Sequence, residues 1–128
     1  MGYSATIDVP DLDAGVAFYG AVLGFREVAR PIPDHAILEA EGQRLGLMLK
    51  EAGSRATPAK GTDRDYGRHW TPVHLDFHVS DLEAALEAVE RLGGQREALH
   101  RTPGRRAVAF CSDPFGHGFC LLGPTPED

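Results

Sequence analysis

His74-Leu75-Asp76-Phe77-His78-Val79-Ser80-Asp81-Leu82 reads as a strand running into a helix. The chain opens on the same design at Ser4-Ala5-Thr6-Ile7-Asp8-Val9-Pro10-Asp11-Leu12. In the downstream copy Leu75, Phe77 and Val79 share one face, and His74, Asp76 and His78 share the other. In the upstream copy Ala5, Ile7 and Val9 oppose Ser4, Thr6 and Asp8. Alternation of this period marks a half-buried strand. Asp11 supplies a helix start, and Ser80 with Glu83 fits a capping box. Val16, Tyr19, Ala21-Val22 and Leu23 then form one apolar stripe at helical spacing, and Leu82, Leu86, Val89 and Leu92 form the other. Gly24 and Gly93-Gly94 end the two helices.

Val9 and Val79 lie 70 residues apart, so the chain is an internal repeat. Three strands are expected after each helix. They fall near 25–29, 35–40 and 44–50 in the first half, and near 96–100, 106–112 and 118–122 in the second. The fold class predicted is α+β, with two β-α-β-β-β modules whose mixed sheets curve into a cup. The expected organisation is one domain over residues 1–128. The first module spans about 3–51, a linker about 52–71 and the second module about 72–123. The linker is rich in Gly, Pro, Ser, Thr and charge, which makes it either a mobile segment or a lid over a site.

The polar face of each first strand carries the functional argument. A face with a histidine, carboxylates and hydroxyls enters a closed core only with partners. If the modules pair, that face lines a concavity bearing Ser4, Thr6, Asp8, His74, Asp76 and His78.

The formal net charge of −6 provides no basic face of the kind that nucleic acid or an anionic membrane needs. The short basic group His100-Arg101 with Arg105-Arg106 reads as a solvated loop. No run of apolar residues approaches a membrane span, and Met1-Gly2-Tyr3-Ser4 has the pattern of no signal peptide. Cys111 and Cys120 are therefore expected as reduced thiols in a cytoplasmic protein. They flank Asp113-Pro114-Phe115-Gly116, a turn by composition, which leaves them either facing each other across a hairpin or, the reading favoured, as two small buried apolar thiols.

Three stretches resemble the vicinal oxygen chelate superfamily, which includes glyoxalase, bleomycin-resistance and dioxygenase proteins. The first is Val9-Pro10-Asp11-Leu12 with Phe18-Tyr19 and Leu23-Gly24-Phe25. The second is the 74–82 segment, and the third is Asp113-Pro114-Phe115-Gly116-His117-Gly118-Phe119-Cys120-Leu121. They follow the superfamily's order along nearly the whole chain, and they look most like its bacterial glyoxalase-like subgroup. The resemblance implies a homodimer and a small-molecule ligand. In metal-dependent members it also implies one divalent ion held by first- and last-strand residues of each module. Carried over by position, those places are Ser4 and Met48 in the first module and His74 and Cys120 in the second. Only His74 matches the usual His, Gln or Glu; Cys120 would suit zinc.

Read as residues, His74 is a metal ligand, a general base, or a pocket histidine bonded to Asp76 or a carbonyl. His74 and His78 stand about 13 Å apart along a strand and cannot share an ion, whereas His74, Asp76 and Cys120 can. Tyr66, His69 and Trp70 lie where the linker re-enters the domain and are placed to cap an aromatic or sugar-like ligand. The candidate ligand-binding set is thus His74, Asp76, His78, Trp70, Tyr66 and Ser4, with His74 and Cys120 as candidate metal ligands. Two functions remain open. One is a small-molecule binder without a complete catalytic metal site. The other is a divalent-metal lyase, isomerase or dioxygenase acting through His74.

Overall fold

Each module is organised by an aspartate that starts its helix. Asp11 and Asp81 both sit in extended backbone. Asp11 accepts a hydrogen bond from the Ala14 N–H at 3.0 Å to open α1 (Leu12–Leu23). Asp81 accepts from the Ala84 N–H at 3.0 Å to open α2 (Leu82–Arg91). The cap of α2 is therefore Asp81 and not the Ser80–Glu83 pair, because the carboxylate one residue later already reaches the free N–H. Gly24 ends α1 with φ of 74°, the left-handed conformation that glycine tolerates best.

The computed structural model describes residues 1–126. Around α1 lie β1 (Thr6–Val9), β2 (Arg26–Ile32), β3 (His35–Ala40) and β4 (Gln43–Leu49), in the sheet order β1-β4-β3-β2. Around α2 lie β5 (Asp76–His78), β6 (Gln95–His100), β7 (Val108–Ser112) and β8 (Gly118–Leu122), in the order β5-β8-β7-β6. In both sheets the first strand runs parallel to the last, and the other neighbours are antiparallel. This is the α+β arrangement of two β-α-β-β-β modules. The two sheets are open, and no strand of one pairs with a strand of the other.

The modules are joined instead through the apolar side. Helices α1 and α2 pack together. Phe18, Tyr19, Phe77 and Phe119 form an aromatic cluster with edge-on and tilted rings, such as Phe77 and Phe119 at 5.9 Å. The Tyr19 hydroxyl, buried in that cluster, donates to Asp113 Oδ2 at 2.7 Å across the module boundary.

Alternation in the first strands is as read: Val9 is buried and Leu75, Phe77 and Val79 are half-buried, while Thr6, His74, Asp76 and His78 are exposed. The stripe of α1 is shifted. Its buried residues are Leu12, Gly15, Phe18, Tyr19 and Val22, and Ala21 faces solvent. Gly15 hides a helix position that its lack of a side chain made invisible. A Cβ there would lie 3.1 Å from Leu47 Cδ1, so glycine lets α1 settle onto the sheet.

The linker is neither loose nor extended. Arg55 bridges Asp63, and Arg64 reaches back to the Asp8 carboxylate at 2.8 Å. Its last residues then pair with the β7–β8 turn through a His69–His117 bridge. Among the described residues no helix is long and apolar enough to cross a membrane.

Candidate functional site

Strand register builds the site. Parallel pairing of β5 with β8 sets Asp76 beside Cys120, and antiparallel pairing of β7 with β8 sets Phe110 on the other side of Cys120. Phe77, Ala109 and Leu121, one step out of phase, belong to the buried core. Asp76, Cys120 and Phe110 therefore share the sheet face turned away from the helices. His74, two residues before β5, adds its imidazole, with Nδ1 3.2 Å from Asp76 Oδ1. The potential ligand atoms of His74, Asp76 and Cys120 lie within 4.8 Å of one another.

Trp70 comes over this cluster from the linker. Its ring centroid is 4.8 Å from that of His74 at an angle of 35°, and 5.7 Å from Phe110. His100 meets the far edge of Phe110 at 5.7 Å. The approach depends on Gly118, because a Cβ there would overlap Cε3 of Trp70. The result is an aromatic wall of Trp70, Phe110 and His100 beside a polar corner of His74 and Asp76. One part of Trp70, 41% of its surface, remains open to solvent and to a ligand.

Burial, and next the neighbouring Asp76 carboxylate, push the Cys120 thiol up to about 11. At neutral pH it is a protonated thiol, a weak nucleophile that becomes a ligand only if a cation displaces its proton. Cys111 is pushed up to about 12, chiefly by burial. The two thiols do not face each other. Cys111 sits across from Phe119 and Cys120 across from Phe110, so they point to opposite faces of the sheet.

The first module does not repeat the cluster. Thr6 pairs with Gly46 as Asp76 pairs with Cys120. Gly46, not Met48, is therefore the counterpart of Cys120; the shorter loops of the first module displaced the reading by two residues. Ser4 is exposed ahead of β1. Thr6 and His35 flank Gly46 without a carboxylate or thiol at that position.

Among the described residues, a divalent ion of the kind the resemblance implies thus finds a grouped donor set in the second module: an imidazole, a carboxylate and a thiol. That set does not reproduce an oxygen-rich octahedral site, and it fits a borderline ion such as zinc with open positions. Tetrahedral bonds of about 2.0–2.3 Å place ligand atoms about 3.3–3.8 Å apart, so the cluster would close by roughly 1 Å around an ion.

The remaining expected residues lie in other settings. His78 lines an open groove of about 790 Å³ between the end of α1 and the start of α2, with Arg26, Glu41, Asp81 and Arg106. With Asp76 it also borders a smaller groove of about 380 Å³, beside Phe25, Glu41 and Gln43. Tyr66 turns away from Trp70: its hydroxyl donates to the Lys50 carbonyl at 2.7 Å and its ring meets His117 edge-on. Burial raises its phenol, with the Asp8 charge a second cause. Asp8 is engaged by Arg64. Phe110, Gly118 and His117 were not legible as site residues. Alternation along 106–112 was the local signal that could have put Phe110 on a sheet face, but not its register with Cys120, and the partners of His117 are 48 and 109 residues away.

Residues 4–122 match the glyoxalase-like domain family. No curated protein matches the chain. Among solved structures, a glyoxalase/bleomycin resistance protein from Albidiferax ferrireducens is similar at 21% identity, covering 94% of this chain and 96% of its own, with a TM-score of 0.67. A lactoylglutathione lyase from Agrobacterium tumefaciens is similar at 20% identity, covering 96% and 92%, with a TM-score of 0.63. A mutant of the fosfomycin resistance protein FosX from Listeria monocytogenes, complexed with Mn(II) and a dihydroxypropylphosphonic acid, is similar at 19% identity, covering 94% and 88%, with a TM-score of 0.69. At these identities the likeness is one of fold.

Proposed function

The chain belongs to the glyoxalase-like domain family of the vicinal oxygen chelate superfamily, and from that premise we propose that it binds a small, partly planar organic molecule on the outer face of its second sheet. The observation that carries this reading is Trp70 lying 4.8 Å over His74 beside Phe110, with Asp76 at the edge. A flat ligand would stack on the Trp70–Phe110 wall, and a polar substituent would meet His74 and Asp76. The protein would do this as a cytoplasmic bacterial homodimer, with residues 1–128 forming one domain. Two buried, unpaired thiols support a reducing compartment.

A second reading has its own observation, the convergence of His74, Asp76 and Cys120. It makes the protein a metal-dependent lyase, isomerase or dioxygenase. An ion held there would supply a Lewis acid for substrate oxygens. The solved relatives bear names of both kinds, resistance proteins and a lyase.

Elemental analysis of untagged protein after incubation with nickel, manganese, iron and zinc separates the two. The binder reading expects no stoichiometric ion, and a thermal-shift screen of aromatic and antibiotic-like compounds should then yield ligands that Trp70→Ala and His74→Ala weaken. One ion per chain that His74→Ala loses would replace that reading with the enzyme.

A further inference from the structure

The strap that brings in Trp70 is tied down by two histidines in series. His69 Nδ1 lies 2.8 Å from the Gly67 carbonyl oxygen. The other nitrogen of that ring, Nε2, lies 3.0 Å from His117 Nδ1. His117 Nε2 in turn lies 2.7 Å from the Asp8 carbonyl oxygen. Both ends of this chain are carbonyl oxygens, which only accept. Three contacts therefore need three N–H groups, and two neutral imidazoles carry two between them. The set is complete only when the pair holds one additional proton, as an imidazole bonded to an imidazolium.

We propose that His69 and His117 form a one-proton clamp that holds the Trp70 strap over His74, Asp76 and Cys120, and releases it as pH rises. The clamp joins three parts of the fold: the end of β1 through Asp8, the β7–β8 turn through His117, and the linker through His69. Backbone contacts align it. The His69 N–H donates to the Gly116 carbonyl at 2.9 Å, and Gly116 takes φ of 86° where a Cβ would run into the Gly67 carbonyl. Trp70 is the next residue, so the clamp and the aromatic cover move together.

The charged surroundings suit a cation. Asp8, from β1, lies on one side, its carboxylate held by Arg64 of the linker. Asp113, from the β7–β8 turn, accepts the backbone N–H of His117 at 3.0 Å and the hydroxyl of Tyr19 from α1. Tyr66 presents its ring to His117 at 5.9 Å, and Arg68 is neutralised by Glu97 of β6. The sign follows from the proton count. All three ring contacts are made only when the pair carries three N–H groups, so the clamp is complete on the acid side. Loss of the additional proton as pH rises sets a lone pair against a carbonyl and removes one of the three bonds.

The consequence for ligand entry rests on the ligand seat proposed above; the clamp itself does not. Trp70 is the only tryptophan, so its fluorescence reports the strap directly. The experiment is acrylamide quenching of the full-length protein without ligand, between about pH 5 and 8, the range in which imidazole ordinarily titrates. The quenching constant should rise by up to about twofold with pH, because 41% of the Trp70 surface is already open and losing one hydrogen bond of the clamp can expose only the rest. In His69→Gln, whose neutral amide donates to His117, the rise should vanish. In His74→Gln it should persist, which separates the clamp from titration of the stacked ring. A flat profile in the wild type, a rise kept in His69→Gln, or a rise lost in His74→Gln overturns the proposal. Should His69→Gln fail to fold, imidazole nitrogen NMR of the wild type decides: three N–H nitrogens in the pair at acid pH are expected, and only two overturn it. A failed ligand screen beside a pH-dependent Trp70 would remove the seat and leave the clamp.

Discussion

Thr6 and Gly46 of the first module occupy the places that Asp76 and Cys120 hold in the second. Ser4 likewise stands where His74 does. The backbone repeats, and the chemistry does not. A second contrast lies at the hairpin before the last strand. In the first module Glu41-Gly42 make a two-residue turn between Ala40 and Gln43, with φ of 51° and 76°. In the second, Asp113 organises a longer turn. Its Oδ1 accepts the N–H groups of Phe115 and His117 at 2.9 and 3.0 Å, and its Oδ2 accepts the Tyr19 hydroxyl. One turn only reverses the chain; the other also anchors the linker and the partner module. The duplicated scaffold has thus kept one half as support and given the other the candidate site.

The contrast breaks most visibly at the turns. Asp113 is 3% exposed, and its three hydrogen bonds make Asp113→Ala costly, at least about 3 kcal/mol by urea denaturation. An effect below about 1 kcal/mol would show that the turn is no anchor. Next comes the pair of glycines. Gly118→Ala should cost about 1–3 kcal/mol and raise Trp70 quenching, because the new Cβ meets a packed indole. Gly46→Ala should cost under about 1 kcal/mol, since its neighbours are the mobile tips of Thr6 and His35. Equal losses in the two variants would remove the asymmetry.

A smaller effect concerns acid. Arg68 holds the Glu97 carboxyl below its usual range. That contribution is present above the ordinary carboxylate titration and fades as pH falls through the lowered value. Exposure of the pair limits it to a few tenths of a kcal/mol, so strap accessibility should rise modestly below about pH 4. An unchanged profile in Glu97→Gln would show that this pair does not hold the strap. Smallest is Glu41→Asn. Asparagine tolerates positive φ better than glutamate, and about 0.5 kcal/mol of stabilisation is expected in thermal melts.

Much of this was legible beforehand. The period-two alternation of Leu75, Phe77 and Val79 against His74, Asp76 and His78 is a local property, and it placed the strand faces correctly. Asp11 marked the first helix start correctly, whereas Ser80 with Glu83 drew the second cap one residue before Asp81. Gly15 misled the α1 stripe because a buried glycine has no hydropathy to read. The counterpart of Cys120 was misplaced at Met48 because spacing counts residues, whereas pairing depends on register and loop length.

From the sequence alone came the repeat, the order of elements, the buried faces and the presence of His74, Asp76 and Cys120 as polar or thiol groups on strands. Periodicity and capping act over a few residues, and that is why they can be read locally. Only the tertiary structure brought Trp70 onto His74, turned Cys111 and Cys120 to opposite faces, and set His69 against His117 and Asp8. Those contacts join residues up to 109 positions apart. Their geometry depends on strand register and on the space left by Gly116 and Gly118, which no local pattern encodes.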